Sequence, residues 1–276
     1  MTDEAHRGAD EGTARRDLGQ HKPHSARMYD YYLGGKTNYS VDREAAKRVT
    51  SACPAIGTVA RVNRAYMHRA IRLVAEQGIS QFIDLGTGIP TTPNLHEIAQ
   101  EVAPASRVVY VDHDPIVLVY ADELLDSTAQ GATDYVEADA TDLDAVLTAV
   151  EGSCVDLDRP VCLSLHALLH FVPGARAYEM VNSLVERLAP GSYLSLSHCT
   201  ADFDPEAWEA VVDIYKGAGT QVQMRTRSEV EAFFGGLDLV DPGVAVAHRW
   251  RPAPASGPSL VSDAMVSLYA GVAIKT

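Results

Sequence analysis

Apolar positions change period along the chain, and the change marks a boundary. From His24 to Gly78 the spacing is helical, with Val59, Val62, Tyr66, Ala70 and Leu73 recurring every three to four positions, as the buried face of a helix requires. Gly78 suits the left-handed exit of such a helix. No stretch here has a strand period, so residues 23–78 are expected to form a helical extension or lid. The residues before it, 1–22, have neither period nor bulk and read as a flexible tail.

At Gln81 the pattern becomes short β-rich runs separated by amphipathic segments. The runs are Gln81 to Leu85, Val108 to Asp112, Asp134 to Glu137, Val161 to Leu165 and Tyr193 to Ser197. Thr92 reads as an N-cap before Pro93, with Leu95, Ile98, Ala99 and Val102 on one face. Leu143, Val146, Leu147 and Val150 repeat that spacing. Asp204 and Pro205 open a further helix that turns Trp208, Val211, Val212 and Tyr215 inward, and Ser228 with Glu231 reads as a capping box. Strict alternation of strand and helix predicts right-handed crossovers and a mostly parallel sheet. The end differs. Gly243 to Trp250 and Ser267 to Ile274 are joined by the Pro-rich loop Arg251 to Pro258, which leaves no room for a crossover helix and predicts an antiparallel pair. The expected fold is α/β and Rossmann-like: a seven-stranded, mostly parallel sheet over residues 79–276, with a reversed terminal hairpin.

Composition narrows the function classes. The 276 residues are 46% hydrophobic and 22% charged, enough to bury one substantial core. A net charge of −14, from 37 acidic against 23 basic side chains, repels phosphate backbones and argues against nucleic acid as a partner. Cys53, Cys154, Cys162 and Cys199 form no C-x-x-C pair, so neither a disulfide framework nor a zinc site is expected. Met1 to Gln20 contains no apolar block, and no apolar run reaches the ~20 residues that span a bilayer. A cytoplasmic protein without a membrane partner is expected.

The candidate chemistry lies at the strand ends. Asp84-Leu85-Gly86-Thr87-Gly88 closes the first strand, where a doubly wound sheet binds its ligand. The order is wrong for a dinucleotide: Thr91 replaces the third glycine of G-x-G-x-x-G, Pro90 interrupts the turn, and Asp84 would repel a diphosphate. A nicotinamide oxidoreductase is therefore disfavoured. A carboxylate at that place suits a ligand with an ammonium group and no phosphate, as S-adenosylmethionine has. The next strand ends in Asp112, roughly twenty residues beyond the turn, where a carboxylate accepts from ribose hydroxyls. His113 beside it is a candidate to lie against adenine. Asp139 follows the third strand, placed to accept from the adenine amino group. The glycine run alone also reads as a plain turn, and Asp112 and Asp139 alone as helix N-caps; three acids at successive strand ends read better as a site.

These segments resemble a bacterial family of uncharacterised S-adenosylmethionine-dependent methyltransferases. The resemblance rests on Arg27-Met28-Tyr29-Asp30-Tyr31-Tyr32-Leu33-Gly34-Gly35-Lys36, Asn38-Tyr39, Asn63-Arg64, Gln81 to Thr91, Val109-Tyr110-Val111-Asp112 with Asp114-Pro115, Leu169-His170-Phe171-Val172, Pro190-Gly191-Ser192-Tyr193, Ser197-His198, and Phe233-Phe234 to Pro242-Gly243. It covers nearly everything after the tail. It implies the class I methyltransferase fold and S-adenosylmethionine at Asp84, Gly86, Gly88, Asp112 and Asp139, and it supplies no methyl acceptor. One departure is that Ala140 and Thr141 stand where the family has a bulky residue and an arginine. With Thr87, His113, Ala140 and Ser164 added from the neighbouring strand ends, these residues make up the expected cofactor site.

Methyl transfer from a sulfonium is an in-line displacement, so positioning and exclusion of water supply much of the catalysis. His166 and His170, just past the fourth strand, are the candidate bases. Their i, i+4 spacing also matches a metal pair, but Ala167 stands where a zinc motif carries Glu and no third ligand is apparent, so no metal is expected. Tyr29, Tyr31 and Tyr32 form a candidate aromatic lid, hinged at Gly34 and Gly35, whose faces favour a cationic sulfur. Arg27 or Lys36 is the candidate partner of the cofactor's carboxylate. Arg61, Arg64, Arg69 and Arg72 read as a solvated helix face. Two functions compete: methyl transfer to a small-molecule acceptor, and a sensor that holds S-adenosylmethionine or S-adenosylhomocysteine without turnover.

Overall fold

The computed structural model describes residues 19–114, 116–117, 119–120, 127–252 and 261–276. Most of the expected tail, Pro115 and nearly all of the Arg251–Pro258 loop lie outside the described residues. Three helices come first: α1 (Ser25–Leu33), α2 (Ser40–Ala52) and α3 (Ile56–Glu76). Parallel strands then follow: β1 (Gln81–Leu85), β2 (Arg107–Asp112), β3 (Ala132–Glu137), β4 (Cys162–His166) and β5 (Tyr193–Cys199). Among the described residues, helices α4 (Leu95–Val102), α5 (Leu143–Glu151) and α6 (Arg176–Arg187) separate them, and α7 (Pro205–Gly217), α8 (Arg227–Glu231) and α9 (Asp263–Val266) follow β5. The final strand, β8 (Leu268–Ile274), runs antiparallel to β5. With a short strand β6 (Asp238–Leu239) at its far edge, the strand order is β3-β2-β1-β4-β5-β8-β6, so the chain reverses direction across the sheet between β1 and β4. A crevice opens at such a reversal, beyond the carboxyl ends of the strands.

The penultimate strand differs from expectation. The expected run from Gly243 to Trp250 is reduced to β7 (Ala245–Val246), and a further short strand, β6 (Asp238–Leu239), precedes it; both pair with β8, giving eight strands among the described residues. Pro242 has no N–H for a ladder. Beyond Val246 the chain winds into a 3-10 turn, Ala247–Arg249. There Arg69 donates Nη2 to the Ala247 carbonyl at 2.7 Å and Nε to the Trp250 carbonyl at 3.0 Å, acceptors that a strand would have used.

Two helix starts also move. Asn94, not Thr92, caps α4: its side chain accepts from Thr91 N at 2.9 Å, and Glu97 returns to the Asn94 N–H in a capping box. The box of α8 is Thr226 with Glu229, two residues ahead of the expected Ser228–Glu231 pair. Neighbouring Arg225 decides this register, because its buried guanidinium donates to the carbonyls of Leu169, Val172 and Gly174. Asp204 caps α7 as its sequence suggested, accepting from Ala207 N with Pro205 in the first turn.

The N-terminal helices share the core of the sheet. Met28, Ala46, Val49, Tyr66 and Val74 belong to one buried cluster with Phe82, Val109, Leu165 and Leu196. The Tyr66 hydroxyl donates to the Gly271 carbonyl at 2.6 Å and lies 3.2 Å from Ser195 Oγ. This pins α3 to β5 and β8. Among the described residues, no helix is long and apolar enough to cross a membrane.

Candidate functional site

The turn after β1 is held by its neighbour strand. The N–H groups of Gly86 and Thr87 donate to the Val111 carbonyl at 2.8 and 3.3 Å, and Gly88 N donates to Asp112 Oδ2 at 2.7 Å. Gly86 sits at φ +70°, where a side chain is strained, and a Cβ there would come within 2.6 Å of Leu168 Cδ1. Asp112 Oδ1 accepts from Asp114 N at 3.0 Å. Asp139 Oδ1 accepts from Thr141 N and Oγ1, both at 2.8 Å.

The carboxylates are unlike one another. Burial pushes the Asp84 carboxyl up to about 7; the Arg64 charge opposes this, Asp112 adds to it, and a Thr87 hydrogen bond again opposes it. Burial also acts to raise Asp139, but the Thr141 hydrogen bonds outweigh it, with help from His113 and Arg176, so this carboxyl lies below its ordinary range. Asp84 is therefore the one acid of this pair poised to change charge near neutral pH.

All three acids open onto one cavity of about 550 Å³. Of the expected residues, Asp84, Gly86, Thr87, Gly88, Asp112, His113, Asp139, Ala140, His166, His170, Tyr29 and Tyr32 line it. Ser164, Arg27, Tyr31 and Lys36 do not. Ser164 is fully buried within β4, two residues short of the strand end where the crevice begins. Arg27 is also buried, its Nε 3.1 Å from Asp42 Oδ2 and its Nη2 donating to the carbonyls of Gly19 and Lys22, so it staples the N-terminal segment. Tyr29 and Tyr32 lie three apart on one face of α1, and Tyr31 points off it. Lys36 is exposed beyond the helix. The expected hinge is a helix end: Gly34 is the left-handed C-cap of α1, and the Gly35 backbone packs directly on the Asp30 carboxylate.

The two histidines are not on a common helix. His166 ends β4 and places Nε2 2.9 Å from Ser195 Oγ, with its ring edge-on to Tyr66. Burial, with the Arg64 charge added, pushes it down to about 3. His170 sits on the 3-10 turn Leu169–Phe171, its ring 5.5 Å from that of His198. Burial holds it well below its ordinary range, and His198 and Arg225 add to this. Its Nδ1 is buried and has no hydrogen-bond partner. Among the described residues, no three His, Cys, Asp or Glu side chains converge to hold a metal.

Several lining residues were not expected in the site. Asn63 donates to the Tyr29 hydroxyl at 2.8 Å and accepts from Ser197 Oγ at 2.6 Å, while Ser197 Oγ accepts from Ala167 N. It thus couples α1 to the ends of β4 and β5. Arg64 also reaches the cavity, donating Nη2 to the carbonyls of Thr91 and Pro93 at 2.5 and 2.6 Å. The only signal for either was the Asn63-Arg64 pair within the resembling segments; helical spacing placed Arg64 in a solvated stripe. That stripe has four different fates. Arg61 reaches Thr58 and Arg72 pairs with Glu101 at the surface, whereas Arg69 serves buried carbonyls and Arg64 the crevice. Across from these, α7 and the segment after it contribute Trp208, Val211, Tyr215, Val222 and Met224.

A doubly wound sheet with a reversed last strand, a glycine turn facing acids and no diphosphate-binding order, is the architecture of a class I methyltransferase. The chain belongs to the S-adenosyl methyltransferase family, whose model matches residues 11–276. It is an S-adenosylmethionine-dependent methyltransferase by that membership. It is similar to a DUF574 family protein from Streptomyces avermitilis, at 45% identity and a TM-score of 0.90 over 94% of this chain and 100% of that one. A candidate methyltransferase from Thermobifida fusca is 36% identical, with a TM-score of 0.86 over 95% of this chain and 98% of that one. An O-methyltransferase family protein from Burkholderia thailandensis shares the fold, at 14% identity and a TM-score of 0.50 over 84% of this chain and 62% of that one. No functionally curated protein matches.

Proposed function

We propose that the protein transfers a methyl group from S-adenosylmethionine to a small, uncharged, largely apolar acceptor. One observation carries the acceptor class. The cavity onto which the carboxylates open is also walled by Tyr32, Phe171, Trp208, Tyr215, Val222 and Met224, and α7 and the segment after it, which add Thr220 and Gln221, supply no Asp, Glu, Lys or Arg to its described lining. An apolar wall of this kind recovers the energy of burying apolar area and offers a charged acceptor no partner.

The donor set suits the cofactor. It supplies an electrophilic methyl carbon on a sulfonium when bound. Asp84 faces its ammonium, Asp112 its ribose hydroxyls and Asp139 its adenine amino group. The Tyr29 ring is held on the cavity wall by hydrogen bonds from Asn63 and to the Ala60 carbonyl. An aromatic ring fixed in this way stabilises a nearby cation. The chain's main contribution to rate is to hold the acceptor in line and keep water out. His170 stays neutral and presents its ring at the cavity wall, able to take a hydrogen bond from an acceptor hydroxyl or amine.

The test is transfer of a labelled methyl group into a metabolite extract that is then partitioned between water and an organic solvent. Label is expected in the organic phase. Label confined to charged solutes, or to nucleic acid or protein, would refute the acceptor class, and tight binding without any transfer would favour the sensor.

A further inference from the structure

The cofactor carries a zwitterion at its amino-acid end, and the reading above provides for only half of it. Asp84 can face the ammonium; the two cations first suggested for the carboxylate, Arg27 and Lys36, lie away from the cavity. We propose that Arg64 binds the cofactor's carboxylate, with Asp84 opposite it on the ammonium, so that the two side chains together select an α-amino-acid headgroup.

The geometry carries this. Arg64 and Asp84 line the same cavity, and they do not form an ion pair with each other or with any other described residue. A buried carboxylate and a guanidinium facing one crevice would ordinarily close on each other, since an unpaired buried charge is costly. Here the guanidinium is prevented from closing. Both of its hydrogen bonds leave from Nη2, to the Thr91 and Pro93 carbonyls at 2.5 and 2.6 Å. Nε and Nη1 have no partner among the described residues, so each keeps an N–H that a carboxylate oxygen can accept from in a charge-assisted hydrogen bond. Asn94 braces the segment that provides those carbonyls, accepting from Thr91 N, and is itself held by Glu97. Arg64 is thus oriented before ligand arrives, and it stands near enough to Asp84 for its charge to act on that carboxyl, so the two offer opposite charges to one ligand. This rests on the cofactor lying with its amino-acid end at Asp84.

Calorimetry with S-adenosylmethionine and its decarboxylated analogue tests it. The wild-type protein should prefer the carboxylated ligand by on the order of 30-fold, the strength of a charge-assisted hydrogen bond. Arg64→Met should abolish that preference by weakening S-adenosylmethionine alone, and Arg64→Lys should restore part of it. Equal loss for both ligands would show that Arg64 only braces the Thr91–Pro93 segment, and the assignment would fall. So would a wild-type protein that binds the two ligands equally, a result independent of how any variant folds. A wild-type protein that binds neither ligand would overturn the placement of the cofactor itself.

Discussion

Asp84 is the side chain whose charge state most affects the site. Burial raises its carboxyl to about 7, so the fold favours the protonated form, and this group works against stability as pH rises from the ordinary carboxylate range through 7. An ammonium ligand has the opposite preference, because it needs the carboxylate. Cofactor affinity should therefore fall as pH drops below about 7, by up to about tenfold per unit. Below pH 7, calorimetry in buffers of different ionisation heat should also record proton release on binding. A dissociation constant that is flat from pH 5.5 to 8.5 would remove Asp84 from contact with the ammonium. Gly86 gives a second test at this scale. Gly86→Ala places a side chain at φ +70° and against Leu168, which should cost about 1–2 kcal/mol in urea denaturation and lower cofactor affinity with it.

At the scale of elements, α3 forms one wall of the cavity. One face presents Asn63, Arg64 and Met67 to the crevice, while Tyr66 reaches through to the Gly271 carbonyl and Ser195. Tyr66→Phe keeps the ring and deletes the hydroxyl, leaving buried acceptors without their donor. Destabilisation of about 1–3 kcal/mol is expected from chemical denaturation. His166 should register the change as well, because it shares Ser195 and stacks edge-on against Tyr66. Its imidazole resonances should therefore shift by NMR, whereas a Tyr66 contributing packing alone would leave them in place.

For the molecule as a whole, the helical segment ahead of β1 is joined to the sheet by a common core rather than a thin seam. Tyr32 meets Tyr215 of α7 through their hydroxyls at 3.3 Å, and Ala45, Ala46 and Val49 are fully buried. One cooperative thermal transition is expected, with the helices and the sheet unfolding together. S-adenosylmethionine at a hundred times its dissociation constant should stabilise the fold by about 2.7 kcal/mol, raising Tm by about 5–10 °C. Two separate transitions, with only the later one moved by cofactor, would show that the N-terminal helices form a unit of their own.

Sequence by itself determined what local periodicity can encode. The alternation of strand and helix, the bounds of β1, the Asp204 cap, the reversed direction of β8 and the succession of acids at the ends of β1 and β2 and just past β3 all follow from neighbours along the chain. Tertiary structure decided whatever depends on groups brought together across it. Arg27 and Arg64 look alike as basic residues in helical segments, yet one meets Asp42 and becomes a staple while the other meets the Thr91 and Pro93 carbonyls and faces the crevice. The expected strand after Gly243 shortens because Arg69, more than 170 residues earlier in the chain, takes its carbonyls. Helical period tells which residues share a face; it does not tell what that face will meet, because partner, burial and charge are set by chain segments far apart in sequence.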